Sequence, residues 1–378
     1  MTKKEPELLL IATSVRVLLE SARRGGYTAA VIDGFCDREV MQHARYAERV
    51  SLCADGRLDD AELAKAIKNT TERYAETLSA VIVGSGIEGC SAASDAIAQS
   101  GLQWLGNART RYSSAERLTC HFGSDKLAAM PDDRPPYLYK STTGNGGLHI
   151  YSDDQSAPKS DDYYRQSYLP FASISHLFIA DGRRIETVGF STQWHAKHDA
   201  AHPFCFGGAI SSHDLDESCI TQAGGYAETL GLRGLNNIDY LYDGEKLYFL
   251  ELNPRPSATM ILYDSDYPTG LLHAHISACR GEGLAQPERI APEIRGFAIL
   301  YADQRMHLPA DFDWPDEATD VPVAQPQGYR IEKNTPICTL HAQAADAADV
   351  LTILQAQICA LQNRMSALQT IPDYQQAR

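Results

Sequence analysis

Three polar residues at alternate positions close an otherwise apolar run: Glu251, Asn253 and Arg255 in "FLELNPRPSAT", Phe249 to Thr259. Strand side chains alternate faces, so residues two and four apart project together, here as a carboxylate, an amide and a guanidinium in one patch. Asp239 lies in the preceding run, "NIDYLY" (Asn237 to Tyr242), and a hairpin signal at Asp243-Gly244 leads from it into "LYFLEL" (Leu247 to Leu252). Closing that hairpin sets Asp239 beside Glu251 and Asn253, three oxygen ligands on one face. Hard oxygen donors of this kind suit Mg²⁺, which keeps waters and shares its shell with phosphate oxygens. A solvated hairpin would account poorly for Glu251 and Asn253 standing among Phe249, Leu250 and Leu252.

A second constellation lies upstream in "PPYLYKSTTGNGGLHIY", where a strand carries Lys140 and a loop carries Gly144, Asn145, Gly146 and Gly147, with a second strand resuming at Leu148. Glycines let backbone N–H groups approach phosphate oxygens, and a lysine ammonium adds a point charge. No G-x-x-x-x-G-K-[ST] loop occurs, so a nucleotide would have to lie between β-rich layers. Gly84, Gly86 and Gly89 match G-x-G-x-x-G between a strand and a helix, but after the third strand, and the acids that follow Glu88, first Asp95 and then Glu116, do not stand at the distance of the usual ribose partner. A glycine turn at the carboxyl end of a parallel strand is the preferred reading, and such ends are where ligands collect. His195, His198 and His202 in "HAKHDAAH" would share a face only on a helix; the preceding strand and Pro203 favour a loop, against catalytic zinc. The adjoining "FCFGGAI", Phe204 to Ile210, reads as a glycine turn or as part of a substrate wall.

The elements that must position these groups follow from apolar periodicity. An apolar strand (Leu8 to Ala12), a helix ending at Gly25-Gly26 and a second strand (Ala29 to Ile32, closed by Asp33) form a βαβ unit, which calls for a parallel sheet. A helical stretch near Leu58 to Ser79 leads to a third strand, "AVIV", and its glycine turn. The chain then changes to three further strand-like runs within Tyr163 to Trp194, the last two joined at Asp181-Gly182. Near the end, Val350, Leu354, Ile358, Leu361, Met365 and Leu368 recur in threes and fours, an amphipathic helix that docks on its own protein or, as the less common outcome, pairs two copies into a homodimer.

Bulk properties narrow the function class. With 378 residues, 44% hydrophobic and 22% charged, the chain has the composition of a multidomain globular protein. A net charge of -15 argues against general nucleic-acid or anionic-membrane binding and leaves room for a local basic pocket. Glu5, Glu7 and Arg16 interrupt what would otherwise resemble a secretory leader, and no apolar run approaches a membrane span. Nine scattered cysteines without a C-x-x-C pair suit a reducing cytoplasm.

These motifs resemble the ATP-grasp superfamily of carboxylate-amine ligases. The resemblance rests on "YLYKSTTGNGGLHI", "YYRQSYLPFASIS", "NIDYLYDGEKLYFLELNPRPSAT" and the opening "ATSVRVLLESARRGGYTAAVIDGF", which together reach from Ala12 to Thr259, about two thirds of the chain. It implies an α/β (α+β) architecture: an N-terminal parallel-sheet domain over 1–107, a small subdomain with the glycine loop over 108–172, a main subdomain with a metal-binding hairpin over 173–290, and a C-terminal β segment and helix over 291–378. It implies ATP and Mg²⁺, with Lys140 and the loop Gly144 to Gly147 on the phosphates, Gln166, Ser167, Tyr168 and Leu169 beside the adenine, and Asp239, Glu251 and Asn253 on the metal. The second nucleotide lysine of the family falls on Lys126. Arg255 would face the transferred phosphate or the substrate carboxylate, and the acyl acceptor would enter near Ser14, Arg16 and Glu88. The glycine that usually follows Pro-Ser in the family is Ala258 here. The opening and "VIVGSGIE" look most like the small-ligand branch that contains tyramine-glutamate ligases of methanofuran-type coenzyme synthesis.

The implied reaction is ATP-dependent amide formation between a small carboxylate and a small amine, with Lys140 and Arg255 as the catalytic cations. The competing reading is a nucleotide-binding scaffold or sensor that retains the fold without turnover.

Overall fold

A computed structural model describes residues 5–107, 127–128, 136–152, 163–196, 202–212, 216–288 and 291–369. Lys126 and His198 lie outside the described residues.

The N-terminal unit is a parallel sheet. Strands β1 (Leu8–Ala12), β2 (Ala29–Asp33), β3 (Tyr46–Arg49), β4 (Ala80–Val83) and β5 (Gln103–Trp104) stand in the order β3-β2-β1-β4-β5. Every residue of β1, β2 and β4 is buried, as continuous apolar runs require when helices cover both faces. Those helices are α1 (Arg16–Arg24), α2 (Arg38–His43), α3 (Asp60–Arg73) and α4 (Ser91–Ser100). Leu9, Ile11, Ile32 and Val81 pack against Leu63 and Ile67 of α3 and Ile97 of α4, while Leu8, Leu10 and Val31 face α1 through Leu18 and Leu19. The chain order reverses between β1 and β4, so the loops after these two strands form a topological switch point, joined by Thr13 N–H donating to Ser85 O at 2.8 Å.

Two elements were not foreseen: α2 and β3 lie between the second and third expected strands, because "YAER" is half-buried and carries no apolar run. The helix expected over Leu58 to Ser79 is the shorter α3, started by Asp59, whose carboxylate accepts from Glu62 N–H at 2.9 Å.

After β6 (Leu127–Ala128), strands β7 (Tyr137–Ser141), β8 (Ile150–Ser152) and β9 (Tyr163–Ser167) make a three-stranded antiparallel sheet, β8-β7-β9, with the glycine loop between β7 and β8. The strand after the loop starts at Ile150 rather than Leu148. Strands β10 (Ala172–Asp181), β11 (Ile185–His195), β12 (Phe206–Ser212), β13 (Arg233–Tyr242), β14 (Leu247–Asn253) and β15 (Ile294–Tyr301) build the large sheet, with helices α5 (Glu217–Leu230) and α6 (Gly270–Arg280). Of the remaining strands, β16 (Met306–Leu308) pairs with β18 (Tyr329–Ile331), while β17 (Ala318–Thr319) and β19 (Pro336–Ala344) extend the large sheet to β17-β19-β15-β12-β11-β10-β13-β14-β6. Most of "FCFGGAI" is strand β12, not a turn. Its Gly208 has φ +149°, and a Cβ there would meet Phe297 O at 2.2 Å.

Helix α7 (Ala347–Gln369) docks on its own sheet: Val350, Leu354, Leu361 and Met365 are buried in one cluster with Ala298, Leu300 and Leu340. Among the described residues no helix is long and apolar enough to cross a membrane.

Candidate active site

The β13–β14 hairpin places Asp239 opposite Glu251 and Asn237 opposite Asn253, with a bulge immediately after Asp239. Asp239 is buried. Its Oδ1 accepts from Asn237 Nδ2 at 2.9 Å and from Gln193 Nε2 at 3.2 Å, and its Oδ2 accepts from Asn253 Nδ2 at 3.0 Å. The same Asn253 nitrogen donates to Glu251 Oε1 at 3.1 Å. Burial, reinforced by the adjacent Glu251 carboxylate, pushes Asp239 up to about 7. Burial alone would also raise Glu251, but Lys140, the Asn253 bond, His149 and Arg255 together hold it below the usual carboxylate range.

Lys140 enters from β7, buried, with Nζ 3.9 Å from Glu251 Oε2. Burial works against its charge, but Tyr164, Glu251 and Asp239 more than offset that and keep its pKa above the ordinary lysine value. Arg255 lies just beyond β14. Its NH2 nitrogen donates to Asn253 Oδ1 at 3.2 Å and its Nε to Glu88 Oε1 at 2.5 Å, while Glu88 Oε2 accepts from Gly86 N–H at 2.7 Å. The expected patch of Glu251, Asn253 and Arg255 is therefore assembled, and it reaches the glycine turn at the switch point.

The donor chemistry fits a hard divalent cation. One amide N–H₂ bridges two carboxylates and puts its partial positive charge where a cation would satisfy both. Asp239 and Glu251 would hold the ion, and the oxygen of Asn253, now facing Arg255, is the third donor of the set. No group of three His, Cys, Asp or Glu suited to a metal occurs among the described residues, so this site has two acids and an amide. The histidine alternative gains nothing: His195 ends β11 with its ring edge-on to Phe204, the centroids 5.4 Å apart.

The glycine loop lies against two surfaces. Asn145 N–H donates to Asp55 O at 3.0 Å in the first domain, and Phe206 N–H of β12 donates to Gly146 O at 3.0 Å. Gly147, at φ +77°, leaves no room for a side chain, since a Cβ would sit 1.9 Å from Phe204 O. His149 is buried behind Gly144, whose added Cβ would fall 2.0 Å from the His149 Cβ, and its Nδ1 has no hydrogen-bond partner. Burial lowers its pKa. Sequence reasoning missed Asp55, Tyr164 and His149; an Asp55-Gly56 turn signal was legible, but not its partner.

Gln166 and Ser167 close β9 beside β7, Gln166 opposite Leu138. Tyr168 follows with its ring edge-on to Phe204 at 5.9 Å, and Leu169 is buried. Arg16 is engaged with acids, while Ser14 is exposed. Arg16, 2% exposed, donates from Nε to Asp320 Oδ1 at 2.7 Å and from NH1 to Glu20 Oε2 at 3.0 Å, and Ser14 Oγ lies 3.5 Å from the same Asp320 oxygen. Beside them Asp33 accepts from the backbone N–H groups of Val15, Phe35 and Cys36, each at 2.6 Å.

Residues 124–259 match the family model of the ATP-grasp domain. The chain is 32% identical over 100 residues to the carbamoyl phosphate synthase large chain of Clostridium acetobutylicum, a match covering 25% of this chain and 9% of that protein. Among solved structures, biotin carboxylase from Campylobacter jejuni in its β-γ-ATP complex aligns with a TM-score of 0.64 and 16% identity over 93% of this chain and 91% of that one. An L-amino acid ligase from Bacillus licheniformis gives 0.62 and 11% over 94% and 98%. N5-carboxyaminoimidazole ribonucleotide synthetase from Thermus thermophilus gives 0.58 and 14% over 95% and 98%. At these identities the structural likenesses establish a shared fold.

Proposed function

From the premise that this chain carries an ATP-grasp domain over residues 124–259, we propose that it is an ATP- and Mg²⁺-dependent ligase joining a small carboxylate to a small amine. The observation that carries the proposal is the convergence of Asp239, Glu251, Asn253, Lys140 and Arg255 on one hairpin face at the switch point. A carboxylate is a poor electrophile because its leaving group would be oxide. Accepting the γ-phosphoryl of ATP gives an acyl phosphate and ADP; attack by the amine then forms the amide and releases phosphate. Mg²⁺, when bound, supplies charge neutralisation on phosphate oxygens.

The protein's own groups supply position and charge. Lys140, held charged by Tyr164 and Glu251, presents an ammonium to the phosphates. Arg255 offers a planar guanidinium to the transferred phosphoryl group or to the acid, exchanging Glu88 for that anion. The glycine loop, laid down on Asp55 and Phe206, presents backbone N–H groups and excludes water. Gln166 to Leu169 offer the wall for the adenine.

ADP release would be measured with Mg-ATP across a grid of amino acids and amines, glutamate with tyramine included, and products identified by mass. Condensation product with stoichiometric ADP and phosphate is the expected result. ATP binding without turnover across the whole grid would transfer the case to a non-catalytic sensor.

A further inference from the structure

At the opposite end of the parallel sheet from Glu88 and Arg255, a cavity of about 210 Å³ opens between α1, α2 and the start of β2. This is far more than the roughly 10–15 Å³ that one water requires. It is an open groove: Arg23, Gln42 and Arg45, all exposed, and the partly buried Tyr27 and His43 line it, with Leu19 and Ala29 at its floor. Basic residues at helix ends usually offset the helix dipole, which accounts for Arg23 and His43 in the last turns of α1 and α2. It does not account for Arg45, which lies beyond the helix and leads into β3.

The two arginines lack acids although the chain carries a net charge of -15. Arg24, one residue on from Arg23, is ion-paired to Asp264 at 3.1 Å, whereas neither Arg23 nor Arg45 has an acid partner among the described residues. The acids whose fields reach His43 are committed elsewhere. Glu20 pairs with Arg16 at 3.0 Å, and Glu39 pairs with Arg38 at 3.1 Å and accepts from Val321 N–H at 3.3 Å. The Tyr27 hydroxyl is likewise engaged, 2.8 Å from His273 Nδ1, which fixes the ring as a wall of the cavity.

We propose that this cavity is a binding site for a small polyanion, a phosphorylated or polycarboxylate metabolite gripped by Arg23 and Arg45, separate from the ATP-grasp site. Two guanidiniums over one cavity match the bidentate geometry of phosphate or carboxylate oxygens, with Gln42 and His43 as further polar contacts.

Calorimetric titration of the full chain with inorganic phosphate and, separately, citrate at about 0.15 M salt, where weak surface attraction is largely screened, tests this. One saturating site for at least one probe is expected. It should weaken about tenfold or more in Arg23→Gln/Arg45→Gln and survive in Glu251→Gln, which alters the other site. Arg23→Lys/Arg45→Lys, which keeps both charges, should bind between the two, and melting without anion shows that each variant is folded. Absence of saturable binding by both probes, or binding unchanged in the Gln double variant, overturns the proposal. Because phosphate and citrate could also meet Lys140 and Arg255, the binding lost in Arg23→Gln/Arg45→Gln is what reports this cavity, and that loss is read without ATP or turnover.

Discussion

Two charge clusters in this molecule are built on different plans. In the hairpin cluster, side chains meet side chains: Asn253 bridges Asp239 and Glu251, and Arg255 shares itself between Asn253 and Glu88. Around Arg16, the groups are fastened to fixed partners. Asp33 is filled by three backbone N–H groups, and Arg16 is tied to Glu20 on its own helix and to Asp320 from the C-terminal segment. In the hairpin cluster amide and guanidinium groups can exchange partners when a ligand arrives, whereas the buried Arg16 is tied by its side chain to Asp320 and joins two modules, beside an Asp33 anchored on local backbone N–H groups. The difference separates Arg255, which we propose exchanges Glu88 for a substrate anion, from Arg16, already used as a clasp.

The largest expected effect lies in the first cluster. Glu251→Gln keeps the shape but removes a charge that faces Lys140 and that we propose holds the metal, so turnover should fall on the order of 10²–10³-fold in a protein that still melts cooperatively. Steady-state ADP release and a thermal melt on the same sample check this, and intact turnover would remove the metal assignment.

The clasp should respond in the reverse sense. Asp320→Ala leaves the buried Arg16 guanidinium short of a partner, a loss of about 3–5 kcal/mol in urea unfolding. A loss below about 1 kcal/mol, the range of an exposed pair, would show that Arg16 and Asp320 do not clasp the modules. Asp320 also sits at φ +55°, a conformation that Asn tolerates, so Asp320→Asn isolates the charge from the backbone.

Protonation distinguishes the clasp further. Asp37 is pushed up to about 8, first by burial and then by Asp320. The unfolded chain loses this proton near the ordinary Asp value of about 4, so the folded state holds more protons in between. The corresponding stability is fully present below that pH and is lost as pH rises through about 8. The Tm of the wild type relative to Asp37→Asn should therefore decline across this window; a difference that stays constant with pH would refute the assignment.

The smallest effect belongs to Glu88. Glu88→Gln removes the carboxylate that competes for Arg255, so KM for the acid substrate should fall a few-fold, about 1 kcal/mol for a partly exposed pair, with kcat little changed. A rise in KM together with a lower kcat would instead mean that Glu88 serves to aim Arg255.

The hairpin cluster was legible because its parts are close in sequence. Asp239 and Glu251 are separated by one tight turn, and period-two alternation states which side chains share a face. The glycine loop and Lys140 were legible for the same reason. Arg16, placed near the acyl acceptor by the resemblance, is paired with a residue 304 positions away, and no local pattern carries that pairing. The bridge from Arg255 to Glu88, 167 residues apart, was equally silent, although both residues had been singled out. Local alternation, turn chemistry and apolar runs are properties of neighbouring residues, so strands, hairpins and the polar side chains that share one hairpin face can be read directly. Which module closes over a buried charge depends on how separate sheets dock, and that is settled by desolvation and pairing across the assembled interface rather than by any segment alone.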